Sequence, residues 1–508
     1  LMSFRSISII LLYNAIMLTS PNIGLCSKSP NILILVSDDQ SWMHAGANGD
    51  IVVKTPAFDA IAAEGTRFTR PYTACPSCAP SRAAILTSQP IWQLGYGGVL
   101  FGALPAEKPT YAGLLANNGY ELGHVGKVWG PGSLYAGGYS KHPHGKAFRE
   151  TAPPHTPGIS NVDYAASFSR FLEQRDVNKP FCFYLAAFEP HRRFSYGAGV
   201  KAGKSLQDAR LPLSLPDHEV TRNDVLDYYI EIEHFDNHVA TAIELLKTRN
   251  LYQNTLVIVT SDHGMAFPRA KANLYDIGTR VPLAIKPPNQ GAHNICDVFV
   301  SLMDLAPTIL DYANIEVPRT MSGTSLRPFL SGTDSPKDRR PRDAVYTGFE
   351  RHTWCRDGGT SYPVRSIHTK NYQLIWNLEP SRWPMGAPTF DSPHQGVFGD
   401  IDNGASKTFL LENQSDPAIR PYFNLAMGKR TEYELYDSLN DPHQLKNLAY
   451  SSDYQHELRQ LQRRLRKHLQ QTNDPRLTGS KEWDAYPYYF GDWWKKTPGA
   501  PAPSPNAN

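Results

Sequence analysis

The chain has 508 residues, with 51 Lys plus Arg against 48 Asp plus Glu and a formal net charge of +3. That balance gives no field for a nucleic-acid partner, and 41% hydrophobic with 19% charged residues excludes a disordered chain. The length allows two domains, each with a full core.

Arg5 precedes an apolar stretch from Ile7 to Leu18, and Gly24-Leu25-Cys26 offers small residues for cleavage, so residues 1–26 read as an export signal. The stretch is shorter than the roughly 20 apolar residues of a membrane-spanning helix. No stable membrane insertion is expected after its removal, and a periplasmic or secreted location follows. Disulfides are allowed there, but the sequence does not say how Cys75, Cys182, Cys296 and Cys355 would pair.

Asn31-Ile-Leu-Ile-Leu-Val36 is apolar and β-branched, the pattern of a strand buried on both faces of a parallel sheet. It runs into Ser37-Asp38-Asp39-Gln40. Two carboxylates therefore sit at the carboxyl end of a strand, where open α/β sheets place their ligands. Next come Cys78-Ala79-Pro80-Ser81-Arg82, with Leu86-Thr87-Ser88 behind it, and Gly126-Lys127-Val128-Trp129-Gly130. Phe181-Cys-Phe-Tyr-Leu185 is another interior strand, with Phe188-Glu-Pro-His191-Arg192 beyond its end. Ile232, Phe235, Val239, Ala242 and Leu246 recur at helical spacing and mark a core-facing helix side. A strand at Leu256-Val-Ile-Val-Thr260 ends in Ser261-Asp262-His263-Gly264, followed by Lys271-Ala-Asn-Leu-Tyr-Asp-Ile-Gly-Thr-Arg-Val-Pro282.

Asp38, Asp39, Asp262 and His263 together make one candidate metal site. An oxygen-rich set favours a hard divalent cation, calcium by ligand number, whereas the histidine suits zinc better. The competing reading of acids after a strand is a helix cap or a solvated turn.

From about Pro30 to Pro341, strands alternate with helices, which predicts a mainly parallel sheet flanked by helices and a catalytic domain over 30–341. Short aromatic strands such as Tyr372-Gln-Leu-Ile-Trp376, then a helix bearing Leu458, Leu461, Leu465 and Leu469, predict a smaller α+β domain over 342–485 with an antiparallel sheet. Residues 486–508 form an aromatic, then Pro- and Ala-rich, tail. Its rings, with Trp483 just before them, suit either a sugar face or docking onto the core.

These motifs, in this order, resemble the type I sulfatase family. The resemblance implies an alkaline-phosphatase-like α/β sandwich that hydrolyses sulfate ester or sulfamate groups. Cys78-Ala-Pro-Ser-Arg82 is similar to the family's C-x-P-S-R signature. Its cysteine is oxidised to 3-oxoalanine (formylglycine) by a formylglycine-generating or anaerobic sulfatase-maturing enzyme. One hydroxyl of the formylglycine hydrate attacks sulfur and the other collapses to the aldehyde, expelling sulfate, so one hard step becomes two easier ones. The resemblance further implies that modified Cys78 joins Asp38, Asp39, Asp262 and His263 on one calcium ion. Arg82, Lys127 and Lys271 would surround the transferring group with positive charge, and His191 would act as general acid. Glu434-Leu-Tyr-Asp437, Asp441-Pro442 and Asn447-Leu448-Ala449 are similar to the family's C-terminal signature. Two positions depart from the pattern: Trp129 stands where the family has the histidine of G-K-x-H, and Ser88 where it has glycine.

Phe349-Glu-Arg-His352 and Ser361-Tyr-Pro-Val-Arg365-Ser-Ile367 resemble the N-sulfoglucosamine sulfohydrolase branch and its bacterial polysaccharide-sulfatase relatives. That implies a sulfated polysaccharide or oligosaccharide substrate, a glycosaminoglycan such as heparan or an algal glycan such as ulvan. Arg192, Arg351, His352 and Arg365 are then candidate contacts to its carboxylates and sulfates. Two alternatives stand beside this: a phosphoester hydrolase of the same superfamily, and a sulfated-glycan-binding protein without turnover.

Overall fold

The apolar run at Asn31–Ser37 becomes the strand that organises the molecule, and all seven of its residues are buried. In the computed structural model, which describes residues 29–129, 132–153, 156–289, 291, 293–330, 341–500 and 502, this strand lies inside an eight-stranded sheet. The predicted export segment and the last residues of the tail lie outside the described residues. Across the sheet the order is Asn294–Ser301, Thr66–Tyr72, Leu283–Lys286, Thr255–Ser261, Asn31–Ser37, Phe181–Ala186, Glu121–Gly126 and Lys146–Ala147. Leu283–Lys286 alone runs antiparallel to its neighbours. The expected mainly parallel α/β sandwich is the fold observed.

Alternation along the central strand splits the core in two. Ile32, Ile34 and Val36 pack on one side of the sheet with Leu256, Ile258 and Leu305. Leu33 and Leu35 pack on the other with Phe235, Val239, Ala242 and Leu246 of the helix Glu219–Thr248.

The register of these strands decides where the chemistry goes. Ser37 pairs with Ser261, Val36 with Ala186, and Gly126 with Ala186, so four parallel strands end at one level. The residues just past those ends (Asp38, Asp262, His191 and Lys127) therefore emerge on one edge.

A second sheet, Ala344–Phe349, Val364–Thr369, Tyr372–Asn377 and Tyr433–Asp437, is antiparallel throughout. The helix Gln455–Gln471 buries Leu458, Leu461, Leu465 and Leu469 in the core that this sheet shares. Beyond it the aromatic segment docks onto the protein. Trp483 and Tyr488 are buried, the Tyr488 ring lies 5.0 Å from Phe101, and Tyr489 N–H donates to Phe101 O at 2.7 Å. Cys75, Cys182 and Cys355 are buried free thiols.

Candidate active site

Residue 78 opens the helix Cys78–Thr87 and is buried. Its Sγ lies 3.3 Å from Lys127 Nζ and 3.3 Å from His263 Nε2. One turn along the same helix, Arg82 faces the same way. Its Nε donates to Asp262 Oδ2 at 3.0 Å and its Nη2 to Asp38 Oδ1 at 3.1 Å, while Nη1 donates to Lys127 O. A planar guanidinium suits this clamp, because its fixed donors reach two carboxylates at once. The helix stops at Ser88, which takes the left-handed conformation with φ 55°. A glycine is freer there; Ser88 instead uses its side chain, whose Oγ accepts from Gly323 N–H at 2.9 Å.

Asp39 also has positive φ, 74°, which turns its carboxylate back over the strand ends. Its N–H donates to Asp262 Oδ1 at 3.1 Å, and its Oδ2 receives Lys271 Nζ at 2.9 Å. Lys127 Nζ donates to Asp38 Oδ2 at 2.5 Å. Despite burial, Lys127 and then Arg82 hold Asp38 well below the usual carboxylate range. Asp39 is pushed the other way, to about 6, chiefly by burial, with Lys271 and His263 opposing and Asp38 and Asp402 adding to the rise. Four carboxylates, Asp38, Asp39, Asp262 and Asp402, meet three cations there, Arg82, Lys127 and Lys271.

That surplus is what a bound cation would neutralise. Asp39 Oδ1 is buried and accepts no hydrogen bond, although His263 Nε2 lies 3.1 Å away with its other nitrogen, Nδ1, against Gly264 O. Donor atoms of Asp38, Asp39, Cys78 and His263 lie within 4.8 Å of one another. Asp262 adjoins them, its Oδ2 3.9 Å from His263 Nε2. The donor set fits a divalent metal ion.

His191 stands over this floor. Its Nδ1 is 2.7 Å from Arg192 O, which fixes Nδ1 as the protonated nitrogen and leaves Nε2 3.8 Å from Asp39 Oδ2. A cleft of about 570 Å³ opens above, lined by Asp38, Lys127, Trp129, His142, His191 and Arg193 among others. Trp129 forms one wall, its ring edge-on to Tyr139 at 5.3 Å.

The family description "Sulfatase" matches residues 30–315, more than half of the chain. The chain belongs to the sulfatase family. The description "N-sulphoglucosamine sulphohydrolase, C-terminal" matches residues 263–386 of the same sulfatase. It is 28% identical to N-sulphoglucosamine sulphohydrolase from Homo sapiens, over 89% of this chain and 92% of that protein. It is 26% identical to an ulvan-active sulfatase of Formosa agariphila, over 88% of this chain and 76% of that one. A solved structure described as a complex with its substrate, D-glucosamine-2-N,6-O-disulfate, superposes with a TM-score of 0.64 at 19% identity, covering 88% of this chain and 99% of that one. Membership makes this chain a sulfuric ester hydrolase.

The structure of the sulfatase gathers Asp38, Asp39, Cys78, Arg82, Lys127, His191, Asp262, His263 and Lys271 at one edge. It corrects the expected substrate contacts. Arg365 is fully buried, donating to Glu350 Oε1 at 2.7 Å and to Asp474 Oδ2 at 2.5 Å. Arg351 is buried too and donates to the carbonyls of Tyr486 at 2.8 Å and Pro487 at 2.9 Å, so it clamps the docked aromatic segment. Arg192 lines the cleft, but both its Nη atoms bind Asp224, at 2.6 and 2.7 Å, between the rings of Phe194 and Phe267. No guanidinium of the three is left for a glycan. His352 does reach the site, but from beneath: buried, it shares a hydrogen bond with Ser77 Oγ at 2.8 Å, and burial followed by Lys271 presses its pKa well below normal. Arg365→Ala takes the guanidinium from buried Asp474, while Glu350 keeps Arg476, and lowers unfolding free energy by about 3–5 kcal/mol, measurable by denaturant titration.

Asp402 was invisible in the sequence. Its Oδ2 accepts from Lys271 Nζ at 2.8 Å, its Oδ1 from Gln395 at 3.0 Å, and it shares a cluster with Asp39 and His191. The one available hint was an acid in a loop with glycine at both ends, Gly399-Asp-Ile-Asp402-Asn-Gly404.

Proposed function

We propose that this sulfatase removes sulfate from a sulfated glycan, with residue 78 carrying the reaction as formylglycine made by a dedicated maturing enzyme. The observation that carries the reading is the seat of residue 78, with a lysine and a histidine each 3.3 Å from its reactive atom above three buried aspartates. The similarity to N-sulphoglucosamine sulphohydrolase and to an ulvan-active sulfatase over most of the chain supports the glycan class.

Formylglycine, once formed, supplies a hydrate nucleophile that can expel sulfate without water attacking sulfur. A divalent ion, which we take to be calcium, supplies positive charge at the sulfuryl oxygens and would be held by Asp38, Asp39, Asp262 and His263. Arg82 fixes Asp38 and Asp262 relative to each other. Lys127 sits between Asp38 and residue 78 and presents an ammonium to the incoming anion. Lys271, held by Asp39 and Asp402, presents a second. His263 Nδ1 is held by Gly264 O and its Nε2 would be taken by the ion, so with Trp129 in place of the family's histidine a water is left to move the proton of residue 78. His191 turns Nε2 toward the cleft and, as the imidazolium with a proton on each nitrogen, gives the Nε2 proton to the departing sugar oxygen or nitrogen. The apolar stretch after Arg5 supports export to the periplasm or beyond.

Free sulfate released from N- and O-sulfated heparan oligosaccharides, ulvan and carrageenan fragments tests the reading. One class is turned over, and His191→Ala slows that saccharide by about 10²-fold or more. An aryl sulfate, whose leaving group needs no proton, suffers much less. No release from any glycan by enzyme whose residue 78 is verified as formylglycine would sink the glycan reading.

A further inference from the structure

The helix Glu219–Thr248 sets Asp224, Asp227 and Glu231 three and four residues apart, so three carboxyls share one face. Two are fully engaged. Asp224 is bound by Arg192 and by Ser406 Oγ at 2.6 Å, and Asp227 takes the amides of Gly197 and Gly199 at 2.9 and 2.8 Å. Glu231 differs. Among the described residues no hydrogen bond or ion pair reaches its carboxyl, yet the residue is only 3% exposed. It lines the same cleft as Lys127, Trp129, His191 and Arg193.

Burial, and then the neighbouring carboxyls of Glu189 and Asp227, push Glu231 up to about 9, so it keeps its proton at neutral pH. A neutral carboxyl is both donor and acceptor. It does not repel an anionic glycan, as a carboxylate in the same place would. Burying an unpartnered polar group costs stability, and an apolar side chain would fit this helix position without that cost. Such a cost is characteristic of positions whose partner arrives with the ligand.

We propose that Glu231 is a specificity-determining residue whose carboxyl donates a hydrogen bond to an oxygen of the sugar carrying the sulfate. The proposal rests on the glycan reading above. The sulfuryl end is already served by Lys127, Lys271 and His191, which leaves Glu231 for the ring.

The test compares kcat/KM for the heparan, ulvan or carrageenan fragment that the wild type desulfates with kcat/KM for 4-methylumbelliferyl sulfate, which has no sugar ring. In Glu231→Ala and Glu231→Leu the saccharide-to-aryl ratio falls about tenfold or more, mainly through KM. Glu231→Gln, whose amide still donates, keeps most of the ratio. Glu231→Leu also melts at a higher temperature than the wild type at pH 7. An unchanged ratio in the Ala and Leu variants overturns the proposal, as does a Gln variant no better than Ala. An unchanged or lower melting temperature for Glu231→Leu, which would mean that the carboxyl is paired in solution, overturns it too. If the wild type releases sulfate from no saccharide, the glycan reading has failed separately. Calorimetric binding of the same fragments to Cys78→Ala enzyme, with and without Glu231→Ala, then decides: binding weakened by Glu231→Ala upholds the contact, and equal or absent binding overturns it.

Discussion

Asp39→Asn leaves the enzyme without its metal ion and lowers sulfate release by on the order of 10³-fold, the scale lost with a key electrostatic contact to the transferring group. The side chain keeps its shape and loses only charge, so the effect isolates electrostatics from packing. Asp39 is the residue to choose because its Oδ1, 3.1 Å from His263 Nε2, accepts no hydrogen bond while its Oδ2 binds Lys271. Its carboxyl is lifted to about 6 mainly by burial, so a bound cation would favour its ionised form. Elemental analysis should find about one calcium per wild-type chain and far less in the variant. Chelation should abolish activity and calcium should restore it, whereas zinc restoring it better would give the site to the softer ion that His263 suits. Full metal and full activity in Asp39→Asn would contradict the site.

Lys127→Ala has the second largest effect, about 10²- to 10³-fold in kcat. Lys127 Nζ touches both Asp38 and residue 78, so the variant removes a cation from the sulfuryl group and from the nucleophile's neighbourhood together. Lys127→Arg should recover little. A guanidinium is larger and planar and cannot occupy a point-charge seat 2.5 Å from one carboxylate oxygen. A loss confined to KM, with kcat intact, would show that Lys127 binds substrate without favouring the transition state.

Most of the site was legible because parallel strands end together. Once Asn31–Val36 and Leu256–Thr260 were read as interior strands, the residues after each had to meet at one edge, and Ser37 pairing with Ser261 is that meeting. Lys271 and Arg82 came through motif resemblance, and their contacts with Asp39 and with Asp38 and Asp262 give them a physical reason. Asp402 was not legible, because its partner Lys271 is distant in sequence and no periodicity links a loop acid to a remote lysine. Arg351 and Arg365 were misread for a different reason. Arginine is chosen both for anionic ligands and for buried carboxylates, and residue type alone does not separate the two. Glu350, beside Arg351 in Phe349-Glu-Arg-His352, is the acid that Arg365 binds, so the internal partner was present in the very segment read as a glycan contact. Glu231 gave no signal in the sequence, and only the packing of Asp224 and Asp227 shows that the third acid of the face lacks a partner among the described residues.

Mass spectrometry of the peptide containing residue 78, together with sulfate release by the same preparation and by Cys78→Ala, tests most directly whether residue 78 does the chemistry. The expected result is formylglycine at residue 78 in the active enzyme, release of sulfate from a sulfated glycan, and no release by Cys78→Ala. Sulfate release retained by Cys78→Ala, or an active enzyme carrying an unmodified cysteine and two zinc ions, would contradict it.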